Sequence, residues 1–266
     1  GGSTDVCVYE QSPISIVTTD GCKTVVVDPV DIYIDRGVAA VGAGLESNQF
    51  TVRADPSNGL PSGGLRVRVS STSPACVVAQ SGTVAGSGSF DVTMTGPVPF
   101  WVQAATRNAG TCNIAVTPLE QTGKYVGAVD TFPIQQAAVA LVSPPGSVAV
   151  NQLLGFGVRL GLPASDLSDV ALVQPVSPVT GAWPITISLT AVPAGQEKAR
   201  LETVTPSQSA QVVTLNVPVG GSDVTGSGLA VRGHAAGSST ITVTGPSLGA
   251  TTRASRRSGA SWPSSV

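Results

Sequence analysis

The stretch GSGLAVRGHAAGSSTITVTGP, residues 226–246, decides the fold class. Val231, Ile241 and Val243 fall on alternate positions of two short runs, which is the period of a half-buried strand. Gly233–Gly237, between the runs, holds small residues around a single histidine, so the chain can reverse there. The stretch therefore predicts a β-hairpin that closes a sandwich, and not a site where bonds are made.

The composition is typical of an all-β protein with little charge. Charged residues make up 11% of the 266 residues, and 31 Gly and 20 Pro interrupt the chain too often for long helices. A net charge of −2 creates no field that would gather nucleic acid or anionic lipid. Residues 131–158 carry no charge, but Pro144, Pro145 and several glycines predict strands and a turn there, not a membrane span.

Four cysteines predict disulfides and an oxidising environment. Cys7, Cys22, Cys76 and Cys112 lie in strand-like runs without a C-x-x-C pair, and one histidine does not suffice for a Cys/His zinc site. Of the three possible pairings, Cys7–Cys22 with Cys76–Cys112 fits best, and buried free thiols are the alternative. Disulfides predict an extracellular or cell-surface protein, or a periplasmic one.

The strand pattern divides the chain into units of sandwich size. Residues 30–118 predict an immunoglobulin-like sandwich of seven short strands, and residues 137–245 predict a second one, with 119–136 as the linker. Residues 1–29 carry three short runs, which we expect to be a partial β module that lacks its earlier strands, or edge strands added to the next domain. Residues 246–266 lose the pattern and predict a disordered tail.

Short internal matches predict that the two units are tandem repeats. FTVR at 50–53 matches FGVR at 156–159, an offset of 106. GTCNIAVTP at 110–118 matches GSSTITVTG at 237–245, an offset of 127. The difference of 21 residues predicts an insertion in the second unit, and Ser165–Thr180 lies inside it.

The second unit also resembles a known family. PITISLTAV (184–192), AQVVTLNVPVGGS (210–222) and LAVRGHAAGSSTITVTGP (229–246) are similar to the bacterial immunoglobulin-like repeats of secreted and surface proteins. The resemblance implies tandem immunoglobulin-like β-sandwiches that act as stalks, spacers or adhesive modules. It carries over no functional residue.

The search for catalytic groups predicts that the chain is not an enzyme. Nucleophilic hydrolysis needs a nucleophile, a base and an orienting acid, but His234 is the single histidine and falls in the predicted turn. No serine completes G-x-S-x-G between a strand and a helix. His234 is therefore predicted to be an exposed turn residue.

Two sets of acids are candidate cation ligands. Asp28, Asp31 and Asp35 cluster where the N-terminal fragment meets the first unit, and Ca²⁺ prefers such oxygen ligands. A sparser set consists of Asp166, Asp169 and Asp223. Because no D-x-D-x-D-G loop is present, solvated acids are the alternative at both places.

Tryptophans are the candidate sugar contacts. Trp101 follows Phe100, and adjacent strand residues face opposite ways, so one of the two is predicted to be buried and the other is a candidate exposed contact. Core filling for one and ordinary surface for the other is the alternative. Trp183 lies at the edge of the inserted segment and is predicted to be the better exposed contact, while Trp262 falls in the tail. A glycan partner would make the chain an accessory carbohydrate-binding module of a secreted enzyme.

The leading hypothesis is a non-enzymatic surface or secreted protein that forms a stalk, fibre or adhesive segment. GCKTVVVDP at 21–29 matches the closing strand at 110–118, so residues 1–29 could add a strand to a neighbouring subunit, giving homopolymeric partners. A carbohydrate-binding module and a phage or virion fibre β-domain are the alternatives.

Overall fold

The computed structural model describes residues 2–7, 22–27, 29–55, 59–165, 169–192 and 197–246. Of residues 2–7, 22–27 and 191–192 and of Thr225 it describes only the backbone. Apart from short 3-10 turns, such as Thr225–Ser227, the regular structure of these residues consists of β-strands. The predicted all-β class is confirmed.

The N-terminal part is a two-stranded antiparallel sheet. It consists of β1 (Gly2–Cys7) and β2 (Cys22–Val27). The register places Cys7 directly opposite Cys22. This backbone arrangement brings the two residues to the separation that a disulfide requires, and the Cys7–Cys22 bond itself stays a prediction.

The first module is a sandwich of two five-stranded sheets. Its strands are β3 (Val30–Asp35), β4 (Val41–Gly42), β5 (Phe50–Asp55), β6 (Leu65–Ser71), β7 (Cys76–Ala79), β8 (Ser89–Met94), β9 (Val98–Ala104), β10 (Gly110–Pro118), β11 (Tyr125–Val126) and β12 (Ala128–Gln135). One sheet has the order β4-β12-β10-β6-β8 and the other β11-β3-β5-β9-β7. In the core, the centroid of the Phe50 ring lies 5.5 Å from that of Phe100 and 5.3 Å from that of Phe132.

A disulfide joins the two sheets of this module. Cys76 on β7 is bonded to Cys112 on β10, with a Cα–Cα distance of 5.6 Å. Both side chains lie in the core, at 2% and 0% exposure. The predicted pairing of these two cysteines is therefore confirmed.

The predicted linker at 119–136 is wrong, because most of it belongs to the first sandwich. β12 pairs antiparallel with β10, and β11 pairs parallel with β3. Phe132 and Ile134 alternate inward at 2% exposure, so this strand closes the core. Proline has no backbone N–H to donate, but Pro133 is tolerated in β12 because the neighbouring strand β4 pairs only with Ile134 and Gln135.

The second module is built from three sheets. Its strands are β13 (Ala138–Val142), β14 (Leu153–Gly155), β15 (Gly157–Pro163), β16 (Val170–Val173), β17 (Trp183–Val192), β18 (Ala199–Thr203), β19 (Gln208–Ala210), β20 (Val212–Val217), β21 (Ala230–Gly233) and β22 (Ser238–Thr244). The sheets have the orders β13-β15-β16, β14-β21-β18-β19 and β20-β17-β22.

The two modules share their strand pairing. β6 lies between β8 and β10 as β17 lies between β20 and β22, and β3 pairs β5 as β13 pairs β15. β14 and β15 together take the place of β5, since β14 meets β21 and β15 meets β13. β16, within the predicted insertion, adds a third strand beside β15.

The predicted hairpin of residues 226–246 is wrong. β21 pairs β14 and β18, whereas β22 pairs β17, so the chain crosses from one sheet to another at residues 234–237. Alternating burial suits both arrangements equally, because each strand has one inward face in either case. The partner strands come from distant parts of the chain and leave no local signal.

The backbone also repeats at a step of 108 residues. β1 begins at residue 2 and β2 ends at residue 27, while β10 begins at 110 and β12 ends at 135. β3 then begins at 30 and β13 at 138. By position, β2 thus corresponds to β12. The sequence match of GCKTVVVDP with residues 110–118 predicts β10 instead, so the two assignments differ.

Candidate functional site: the joint between the modules

The two modules meet through a loop of the first and the inserted segment of the second. We define the joint as residues 43–47, 103–107 and 174–183. Leu45 is fully buried and belongs to the hydrophobic core of the second module, beside Val176 and Trp183. The core of the second module therefore includes a side chain of the first module, so separating the modules would expose apolar surface.

Backbone hydrogen bonds reinforce this contact. Glu46 N donates to Pro175 O at 2.8 Å, and Ser177 N donates to Gly44 O at 3.0 Å. Leu45 and Val176 face each other in an antiparallel bridge between these two bonds. The loop and the inserted segment thus pair like a short piece of sheet, which specifies their relative position.

Buried polar side chains are concentrated at or next to the joint. Of the seven buried polar or charged residues in the described part of the chain, five lie there, namely Glu46, Ser47, Gln103, Gln174 and Ser177. Gln174 accepts a hydrogen bond from Gly42 N at 2.7 Å and donates to Ala40 O at 3.2 Å. Ser177 Oγ donates to Ala104 O at 3.1 Å. The bonds of Gln174 and Ser177 cross from one module to the other, so separating the modules would break them and leave buried polar groups unsatisfied.

Arg107 and Trp183 form the outer part of the joint. The Arg107 guanidinium lies 5.0 Å from the Trp183 ring centroid and donates to Ala182 O at 2.8 Å. Trp183 is fully buried, so the prediction that it is an exposed sugar contact is wrong. The loop of the first module covers its ring, because a Cβ on Gly44 would lie 2.6 Å from Trp183 Cζ3. Gly44 has φ 75°, which glycine adopts without strain.

Glu46 is a buried carboxyl with one polar side-chain partner among the described contacts. Its exposure is 3%, and Gln103 Nε2 donates to its Oε2 at 2.6 Å. Burial raises the pKa of Glu46 from 4.5 to about 7, and the hydrogen bond from Gln103 offsets only part of that effect. The sequence offered no signal for this residue, since ESN at 46–48 reads as an ordinary polar turn.

No three of the predicted cation ligands come together among the described residues, although Asp169 and Asp223 both lie beside Arg159. Asp31 and Asp35 are exposed on β3, Asp35 pairs with Arg53 at 3.2 Å, and Asp28 lies outside the described residues. In the second set, Asp169 is 2.8 Å from Arg159, and Asp166 again lies outside. Within the described ranges, no group of three or more His, Cys, Asp or Glu could hold a metal ion. Calcium binding at residues 28–35 stays a prediction.

The remaining candidate residues are dispersed. His234 is exposed in the crossing at 234–237, where its N–H donates to Lys198 O at 2.8 Å. On β9, Phe100 is fully buried and Trp101 is half-buried, so the two residues face opposite ways but the indole is not fully exposed. Trp262 lies outside the described residues. An open, mostly apolar cleft of about 580 Å³ in the second module contains Arg159 and Asp223, but not the histidine. No nucleophile and base are brought together among these candidates.

Among known proteins, this chain is similar only to solved structures and not to any characterised sequence. The sequence matches no protein-family model, and no curated protein matches it. The D0-D1 domain of intimin is 12% identical with a TM-score of 0.28, covering 82% of this chain and 91% of that one. The Yersinia pseudotuberculosis adhesin InvE is 12% identical with a TM-score of 0.29, covering 81% and 55%. Salmonella alpha-2-macroglobulin is 9% identical with a TM-score of 0.31, covering 93% and 18%. Likeness at this level transfers no function to this chain.

Among the residues described, no helix is long and apolar enough to cross a membrane.

Proposed function

We propose that this chain is a rigid, non-enzymatic spacer of an extracellular or cell-surface protein, built from immunoglobulin-like modules in series. The observation that carries the proposal is the joint, where Leu45 of one module completes the core of the other. Flexibly linked modules share no core, because their linker must let them move apart. A spacer needs a fixed orientation so that it holds whatever it carries at a set distance.

The orientation of the modules tests this proposal. We expect residual dipolar couplings of backbone N–H groups in the full chain, measured at pH 5.5, to fit one alignment tensor for both modules. Two tensors of different magnitude would show independent motion and would overturn the spacer function.

The joint can also be loosened by a single methyl group. Gly44→Ala is expected to separate the two tensors and to widen the distance distribution in small-angle scattering. Its Cβ would overlap Trp183 Cζ3 and would lie 2.8 Å from Arg107 Cγ. Overpacking of this kind costs about 1–3 kcal/mol.

Gly181→Ala is the matched control for this variant. Gly181 has φ 72°, close to that of Gly44, but a Cβ there meets nothing within 4 Å. Both variants therefore place an alanine in a strained backbone conformation with positive φ, but only Gly44→Ala also pushes the modules apart. Equal behaviour of the two variants would mean that backbone strain, and not the contact with Trp183, governs the orientation.

A finer proposal concerns assembly through the N-terminal strands. In the first module β12 covers the outer edge of β10, but no described strand covers the same edge of β22. Ile114 on β10 is fully buried, whereas its counterpart Ile241 is only partly buried. The β1-β2 sheet of a second copy would fit this edge, since a two-stranded sheet alone is marginally stable.

Deletion of residues 1–29 tests the assembly. We expect sedimentation velocity to show oligomers of the full chain and monomers of the deletion variant, with unchanged circular dichroism of the remaining sandwiches. Deletion of residues 247–266 is the control and should leave the oligomers intact. Assembly that survives the first deletion, or a full chain that is monomeric at all concentrations, would contradict the proposal.

A further inference from the structure

The Glu46 carboxyl lies where a change of charge would act on both modules. Its own backbone N–H is bonded to Pro175 O of the second module, and its neighbour Leu45 is embedded in the second core. Its side chain points back into the first module, towards Gln103. One residue thus connects a buried ionisable group to the contact that fixes the orientation of the modules.

The surroundings of Glu46 are tightly packed and already bonded. A Cβ on Gly82 would lie 2.5 Å from Glu46 Oε1, so the loop at 80–88 covers the carboxyl. Gln103 is fully buried and shares its amide group between Glu46, Val84 O at 2.8 Å and Gly86 N at 2.8 Å. This single amide therefore binds both the carboxyl and the loop that covers it.

No charged group on the elements around Glu46 compensates its ionisation. The described contacts of Glu46 are with β9, the loop at 80–88 and the segment at 174–177, and none of these contains Asp, Glu, His, Lys, Arg, Tyr or Cys. Its own loop, residues 43–48, has no other ionisable residue. The other charged residue of the joint is Arg107, whose guanidinium donates to the carbonyls of residues 180–182 instead. A carboxylate here would be buried without a counter-ion, which is unfavourable unless water enters.

We propose that Glu46 is a protonation switch for the joint. The protonated carboxyl keeps the loop at 80–88 closed and the modules locked. The ionised carboxyl draws in water, opens that loop and weakens the pairing of residues 44–46 with residues 175–177. The spacer is then rigid in mildly acidic surroundings and hinged in alkaline ones.

The direction of the pH effect follows from the linkage between proton binding and opening. The closed state holds its proton up to about pH 7, whereas an opened, solvated Glu46 releases it near 4.5. The closed joint is therefore most stable below pH 4.5 and loses stability as the pH rises from there to about 7. Above that value both states are ionised, and the effect levels off.

Amide hydrogen exchange in the full chain measures this opening. The N–H groups of Glu46 and Ser177 cross the joint, and Thr72 N, which donates to Asn113 O at 2.9 Å, serves as a reference within the first module. Glu46→Gln keeps the acceptor for Gln103 and cannot ionise. The ratio of wild-type to variant rates at each pH removes the intrinsic pH dependence of exchange.

We expect this ratio at Glu46 and Ser177 to rise by about tenfold per pH unit between pH 5 and 7 and then to level off, with Thr72 unchanged. Glu120→Gln alters an exposed carboxyl and should behave like the wild type. A flat ratio, or an equal rise at Thr72, would overturn the switch. If Glu46→Gln does not fold, ¹³C titration of the wild-type Glu46 carboxyl decides, and a midpoint near 4.5 would overturn the proposal.

These outcomes are independent of the spacer function. A joint that gives one alignment tensor at pH 5.5 and at pH 8.5 keeps the spacer and refutes the switch. Two tensors at pH 5.5 refute the spacer whatever Glu46 does.

Discussion

Replacing Trp183 by alanine is expected to lower the free energy of unfolding of the second module by about 3–5 kcal/mol. The side chain is fully buried, the largest among those below 2% exposure, and it packs in the core that also contains Leu45. Its removal leaves a cavity at the joint and takes away the ring over which Arg107 lies. Calorimetry of the full chain measures the effect as a shift of the transition of the second module.

Two further variants isolate the cause of this loss. Trp183→Phe retains most of the buried ring and should cost clearly less than the alanine variant. Trp101→Ala removes a half-buried tryptophan of the first module and should leave the second transition in place. If Trp183→Ala lowered the free energy of unfolding by less than about 1 kcal/mol, the ring would not be part of the core.

Removal of the Cys76–Cys112 disulfide is expected to destabilise the first module by about 3–4 kcal/mol, since its sequence separation of 36 residues limits the freedom of the unfolded chain. The double variant Cys76→Ala/Cys112→Ala avoids a lone reactive thiol. Chemical denaturation of the full chain should show the first module unfolding earlier. Residues 137–245 contain no cysteine, so the second module should respond only through the contacts that it shares with the first module at the joint.

The same bond has a mechanical consequence that matters for a spacer under tension. With the disulfide intact, the residues between Cys76 and Cys112 cannot extend when the first module is pulled open. Reduction should therefore add about 12 nm to the contour length of the unfolded module, at roughly 3.5 Å per residue for a separation of 36 residues. Equal contour lengths with and without reductant would exclude a load-limiting role of the bond.

The strands themselves were accessible from sequence because the alternation of apolar residues reports burial locally. Leu65, Val67 and Val69 alternate with polar residues in the sequence, and all three are fully buried on β6. The sequence matches also found counterparts, since β5 and β15 occupy equivalent positions beside β3 and β13. Pairing across sheets was not accessible, and the crossing between β21 and β22 was therefore predicted as a hairpin.

The joint was missed because its components carry no periodic signal. Its contacts connect residues 43–47 with residues 174–183, more than a hundred positions apart. Trp183 beside Gly181 and Pro184 is typical of an exposed turn, and only the loop around Gly44 buries it. Residues 119–136 were predicted to be a linker, although Phe132 and Ile134 within them complete the first core.

By itself the sequence determined the all-β class and favoured the Cys76–Cys112 bond among the three possible pairings. These follow from local periodicity, turn residues and the small number of cysteine pairings. The tertiary structure alone decided which sheet each strand joins, where the first module ends, and that Glu46 and Trp183 lie buried between the modules. The reason is that burial of a single side chain depends on what packs over it, and at the joint that cover comes from a distant part of the chain.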